Sequence, residues 1–267
     1  MMSEAYLIAA SQGNISSLSG VSHIEQVRPI VHLLFEKSGA PARRVQEIHW
    51  HGGDEEYWFN PLGRSFGFMP DLATFHWPAI ALLAHTMLQN MVRAIEAGNR
   101  DLVILAQETG EQAVALLLAS PSAVGLYNLS PRACLGHKFA ISSAPDGLLR
   151  AAGSALKKAN QALADKEAAQ NVLNPPTNEK DPSSKKAAEQ ETGEVQWIAA
   201  ARRPDTASLK TAFPQARWLG PDQEVPPGDL FLLCALVSRL EAEKARQGLL
   251  LSEGPQKSGL VTLVERI

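Results

Sequence analysis

The sequence predicts an α/β protein of two duplicated halves, with a layer of buried helices held between two sheets. Three observations carry this expectation. Apolar strands alternate with helices along the first half of the chain. A block of helix, apolar strand, polar turn and second apolar strand occurs twice. The helix in each block is too apolar for a surface, so the halves should pack these helices face to face. At 267 residues and 45% hydrophobic content, the chain can bury such a core.

Taken in order, AYLIAAS (5–11) is a short apolar strand. VRPIVHLLFEKSG carries apolar residues at three- and four-residue spacing and stops at Gly39, the pattern of a helix with a glycine end. VQEIHWHGG (45–53) alternates at period two and breaks at its glycine pair. The loop DEEYWFNPLG follows. LATFHWPAIALLA (72–84) is a strand that turns at Pro78 into a long helix through HTMLQNMVRAIEAG. DLVILAQE and QAVALLLAS are two strands joined by the turn TGE. Strands separated by helices predict a largely parallel sheet.

A similar programme restarts near Ser122, giving halves at 1–121 and 122–267. AVGLYNLSPRACLGHKFAI holds at least one strand, and PDGLLRAAGSALKKANQALADKE reads as a helix. Residues 165–193, rich in Pro, Lys, Glu and Ser without apolar period, are expected to form a flexible polar loop. VQWIAAA, a helical DTASLKTAF and a short ARWLG come next. DLFLLCALVSRLEAEK is a buried helix, QGLLLSEG a strand and GLVTLVERI a last strand.

A net charge of −3 with interspersed signs points to neither nucleic acid nor an acidic lipid surface. The only cysteines, Cys134 and Cys234, are expected to be reduced thiols of a cytoplasmic protein. No run reaches the ~18 apolar residues needed to span a bilayer. Phosphate-binding glycine loops and a Gly-x-Ser-x-Gly elbow are absent, so no nucleotide cofactor is expected.

RAIEAGNRDLVILAQE and GEQAVALLLAS, with VRPIVHLLFEKSGAPARRVQEIHW before them and DLFLLCALVSRLEAEKARQGLLLSEGP after, resemble the thiolase and β-ketoacyl synthase superfamily of condensing enzymes. The resemblance covers most of the chain outside 165–193 and rests on the order and duplication of these pieces. It implies a five-layer α-β-α-β-α sandwich of two related halves. It also implies dimerisation through the strand before the elbow, near Thr74, Phe75, His76 and Trp77.

The departures from that family shape the functional expectation. Its active members carry a nucleophilic cysteine at the elbow, made a thiolate by the helix N-terminus. Here the corresponding positions are Ala79, Ile80 or Ala81, and none of residues 78–84 is Cys, Ser or Thr. The family draws two further polar residues, usually His with His or Asn, from its second half. All seven histidines of this chain lie at or before His137. Glycines, turns and periodicity nonetheless persist, as in a scaffold kept for its shape. The expected function is therefore a non-catalytic subunit of the chain-length-factor type, without a cofactor or metal. It would form a heterodimer with an active ketosynthase, shape its acyl tunnel and meet acyl carrier protein through that complex. One alternative is an acyl-thioester enzyme with chemistry relocated to Cys134 or an imidazole such as His85. The other is a free-standing homodimeric acyl binder.

Other candidates carry a plain reading beside the functional one. Cys134 and His137 (CLGH) would face opposite sides of a strand. Cys234, within LFLLCALV, reads as a core residue. His49 and His51 share a strand face, but without a third ligand a half-exposed face is the better reading than a metal site. Tyr57, Trp58 and Phe59 diverge from one another along the chain, so some would meet a partner or acyl chain, or else cap the sheet edge. Arg202 and Arg203 would meet a phosphopantetheine phosphate or a carrier protein, or stand as ordinary exposed cations.

Overall fold

The computed structural model describes residues 4–15, 23–52, 73–79, 83–140, 152–153, 195–200, 211–220, 225–253 and 259–267. In its first half, β1 (Ala5–Asn14) leads to helix α1 (His23–Ser38), then to β2 (Glu47–His51) and β3 (Ala73–Trp77). Helix α2 (Leu83–Glu96) follows, and β4 (Leu102–Thr109) and β5 (Gln112–Ala119) form a hairpin. The second half contains α3 (Pro121–Tyr127), β6 (Ala133–Ala140), β7 (Trp197–Ala200) and β8 (Arg217–Leu219). It ends with α4 (Asp229–Ala242), β9 (Gln247–Glu253) and β10 (Gly259–Arg266).

The duplication is written in the strand order. The ten strands run β3-β2-β4-β5-β1-β6-β10-β9-β7-β8. Numbered within its own half, each set of five reads 3-2-4-5-1 outward-in, and the two sets meet at their first strands. The pairing senses match as well. β2 is parallel to β3 and β4, as β7 is parallel to β8 and β9. The fifth strand of each half is antiparallel to both its neighbours. The expectation of a largely parallel sheet is thus corrected: with β1 and β6 also antiparallel, the sheet is mixed. The physical reason is local, since β4 and β5 are joined by only two residues, which permits a hairpin and forbids a crossover.

Burial shows the layers. Met87, Leu88, Val92 and Ile95 of α2 and Phe231, Leu233, Leu236 and Leu240 of α4 share one core. They pack there with Val103, Leu105, Leu116 and Leu118 of the first five strands and Trp197, Ala199, Leu250 and Val264 of the second. The opposite face of the first set, Ile48, Trp50, Ile104 and Leu117 among others, packs under Val27, Ile30, Val31 and Leu34 of α1. The opposite face of the second set, including Ile198, Leu249 and Val261, packs with Ala152. The expected central helix layer is present, enclosed by two sets of strands that share one continuous ladder at β1 and β6.

Two termini show why the sequence stops where it does. Gly39 takes φ +66° and its N–H donates to Phe35 O at 2.8 Å, the left-handed cap that closes α1. Helix α1 nevertheless starts at His23, four residues before the apolar period begins. Gly52 takes φ +91° at the end of β2, where an added Cβ would stand 3.0 Å from Glu108 O. No helix among the described residues is long and apolar enough to cross a membrane.

Candidate functional site

The first turns of α2 and α4 meet in the central layer, and the polar residues of the core gather there. α2 carries His85 and Gln89 on one face, four residues apart. Strand β9 supplies Ser252, β10 supplies Thr262 and the head of α4 supplies Asp229. All five side chains are buried. Ser252 Oγ donates to Asp229 Oδ1 at 2.6 Å. His85 Nδ1 lies 2.6 Å from Ser252 Oγ, and His85 Nε2 lies 2.8 Å from Thr262 Oγ1. Gln89 Nε2 donates to Thr262 Oγ1 and to Val261 O, at 2.5 and 3.0 Å.

These contacts fix the direction of every proton. With the Ser252 hydroxyl proton given to the Asp229 carboxylate, Ser252 Oγ accepts from His85 Nδ1–H. His85 Nε2 is then the bare nitrogen and accepts the Thr262 hydroxyl, whose oxygen accepts from Gln89. The imidazole is neutral: full burial lowers its pKa to about 3. Burial raises the Asp229 pKa, opposed by its hydrogen bonds from the Ser252 hydroxyl and the His85 backbone N–H. Both ring nitrogens are committed and the ring is wholly enclosed, so His85 joins the halves and has no lone pair open to a substrate.

The halves are tied in the reverse direction by an equivalent residue. Ala106 of β4 pairs with Trp50 and Leu251 of β9 with Ala200, so the residues after them, Gln107 and Ser252, hold corresponding places. Gln107 Oε1 accepts from Leu230 N at 2.9 Å, satisfying a free amide in the first turn of α4. Gly228 makes room for this bond, because a Cβ there would lie 2.8 Å from Gln107 Oε1.

A second cluster lies at the outer edge of the sheet. Trp77 Nε1 donates to His49 Nδ1 at 3.1 Å, so His49 Nε2 carries the proton and donates to Glu47 Oε2 at 3.0 Å. Arg100 pairs with the other Glu47 oxygen at 2.5 Å. Burial works to raise the Glu47 pKa, but the bonds from Arg100 and His49 outweigh it and the net shift is downward. Burial also lowers the His49 pKa against the pull of Glu47. Phe75 stacks on His49, with ring centroids 4.7 Å apart. His49 and His51 are buried, which corrects the half-exposed face expected of them: β2 lies between β3 and β4 and both its faces are covered.

The predicted site residues separate accordingly. Ala79 is exposed at the bend after β3; Ile80 and Ala81 lie outside the described residues. So do Tyr57, Trp58, Phe59, Arg202, Arg203 and the 165–193 segment. On the edge strand β3, Thr74 is partly buried and Phe75 is 44% exposed. His76 Nε2 lies 3.2 Å from Gly52 O, while Trp77 turns inward to His49. Cys134 is partly buried on β6 opposite Tyr6, and no hydrogen bond of the His85 chain includes it. His137 stands in register with Thr262 on the same ladder. Sequence reasoning missed Asp229, Ser252, Thr262 and Gln107. Their signal was present: a polar residue interrupting or ending each of the apolar runs LLLSE, VILAQE and LVTLV, and a carboxylate opening an apolar helix.

No protein-family model matches the chain, and no curated protein is significantly similar in sequence. Its structure is similar to solved structures of OleA from Xanthomonas campestris. A variant of that protein bound with cerulenin superposes with TM-score 0.62 at 11% identity, over 98% of this chain and 96% of that one. A variant with bound lauric acid and lauroyl-CoA gives 0.59 at 11%, over 99% and 100%. A third, cerulenin-bound co-crystal gives 0.62 at 12%, over 98% and 96%. The fold is thiolase-like, and at these identities the likeness is one of fold.

Proposed function

We propose that this chain is a non-catalytic ketosynthase-like subunit of the chain-length-factor type. It pairs with an active β-ketoacyl synthase of polyketide, aryl polyene or fatty-acid-like biosynthesis and shapes that enzyme's acyl tunnel. One observation carries the reading: the elbow leading into α2 carries no nucleophile of the family's kind, and the imidazole beside it is not available as a base. Residues 78–84 contain no Cys, Ser or Thr, and the nearby imidazole of His85 is spent on Ser252 and Thr262. An acyl transfer needs a nucleophile within reach of a free base, and among the described residues the elbow brings no such pair together. Supporting the partner role, β3 is the terminal strand of the sheet among the described residues, and its Phe75 is 44% exposed.

The test is twofold. Incubated with an acyl-thioester, the purified chain should show no mass increase, and co-expression with the ketosynthase should give a stable one-to-one complex. A covalent adduct on Cys134, lost in Cys134→Ala without loss of folding, would replace this reading with that of an active acyl-thioester enzyme. A stable homodimer that ignores the ketosynthase would favour a free-standing acyl binder.

A further inference from the structure

A second site lies away from the head of α2, where the seam between the halves opens. β1 pairs with β6 only over Ala5–Leu7, and Arg132 N donates to Leu7 O at 2.8 Å to close that ladder. The register of β1 then slips at Ile8, and the rest of the strand follows β5 alone. The freed edge of β1 and one face of α4 flank a half-open cavity of about 300 Å³. At ~30 Å³ per water-sized volume, that is room for on the order of ten non-hydrogen atoms.

The lining is amphiphilic. Val225, Pro226, Phe231, Ala235 and Cys234 form an apolar wall. The polar side is the larger: Ser11, Gln12 and Ser238 line it together with Lys37, from the last turn of α1, and Arg132, from the entry to β6. Among the described residues, Lys37 Nζ donates one long bond, to Ala10 O at 3.3 Å. The Nε and one terminal nitrogen of Arg132 are held by the two oxygens of Glu241 at 2.8 and 2.5 Å, which leaves its other terminal nitrogen without a bond among the described residues. Two cations and one carboxylate leave a single positive charge, which suits a monoanion.

We infer that this cavity binds a small amphiphilic monocarboxylate, its head on Lys37 and the free edge of Arg132 and its tail against Phe231, Ala235 and Cys234. A carboxylate matches the planar donor fork of an arginine, and one negative charge balances the site. The apolar wall asks for an aliphatic or aromatic tail in place of a bare inorganic anion. Bound there, the ligand bridges α1, β1 and α4 and so braces the two halves.

Octanoate titrated into the full-length protein by calorimetry is the test, with octanol and octylamine as comparators. Octanoate should bind one-to-one with a dissociation constant below about 1 mM. Octanol and octylamine should bind at least about tenfold more weakly, the difference that a charge-assisted contact supplies. Lys37→Gln should weaken octanoate about tenfold and Lys37→Glu should abolish binding, both in folded protein because Lys37 is exposed. Ala235→Trp, filling the cavity, should also remove binding. Equal binding of octanol, indifference to both Lys37 substitutions, or no octanoate binding to folded wild-type protein would each overturn the inference. Neither result depends on the ketosynthase partner, so the site and the proposed function stand or fall separately.

Discussion

His85 Nδ1 and Ser252 Oγ lie 2.6 Å apart although 167 residues separate them in the chain. The bond joins the first turn of a helix from one half to a strand from the other, within a small polar cluster enclosed by apolar core. A buried polar pair of this kind adds less to stability than to the uniqueness of the docking, since any shifted arrangement leaves its members unpaired.

Ser252→Ala should therefore destabilise the fold by about 1–3 kcal/mol, the cost of stranding a buried polar group on either side of it. Urea unfolding measures this. Combined with His85→Phe, the two losses should be non-additive by at least ~0.5 kcal/mol, because they remove one shared chain of bonds. Strict additivity would mean that the pair is not coupled.

Acid should act through the same imidazole. The folded pKa of His85 is about 3, below the ordinary value of 6.5, so between these limits the unfolded chain binds the extra proton. Its contribution to stability is full above pH 6.5 and is lost as pH falls toward 3, by up to about 1.4 kcal/mol per unit. Asp229 acts oppositely: its raised folded pKa makes the folded state the better proton binder above pH 3.8, so its term declines as pH rises through that window. His49, also lowered, has the sign of His85. The slope of unfolding free energy between pH 4 and 6 should be shallower in His85→Gln than in the wild type. Parallel curves would show that the ring is protonated in the folded protein.

Gly228→Ala tests the entrance to α4. The backbone there is extended, so the substitution is not strained by φ, but the new methyl would meet Gln107 Oε1 at 2.8 Å and the Phe231 ring at 2.9 Å. The expected cost is about 1–3 kcal/mol from overpacking. Shortening the neighbour in Gly228→Ala/Gln107→Ala should recover part of it, measured by the denaturation midpoint.

Phe75→Glu tests the proposed interface. The ring is 44% exposed and stacks on His49, so the isolated chain should lose no more than about 1.5 kcal/mol. The complex with the ketosynthase should be lost on size-exclusion chromatography. A complex that survives the new charge would move the interface off β3.

Periodicity and punctuation by themselves determined which stretches became strands and helices, because apolar spacing and glycine stops act within a few residues. α1 ends at Gly39 and β2 at Gly52 for reasons written in their own sequence. The repeated helix–strand–turn–strand block likewise foretold two related halves, though not their 3-2-4-5-1 strand order, and the missing nucleophile around Ala79 is a fact of composition. Tertiary structure alone decided what those elements meet. β2 alternates like a half-exposed strand, yet neighbours on both faces bury His49 and His51. Ser252, Thr262 and Asp229 look like isolated polar residues until folding brings them to His85. Cys234 packs against the core as its apolar neighbours imply, but only folding, in which β1 parts from β6, opens a cavity beside it. Local spacing fixes a backbone's own geometry, whereas the partner of a side chain depends on segments more than a hundred residues away.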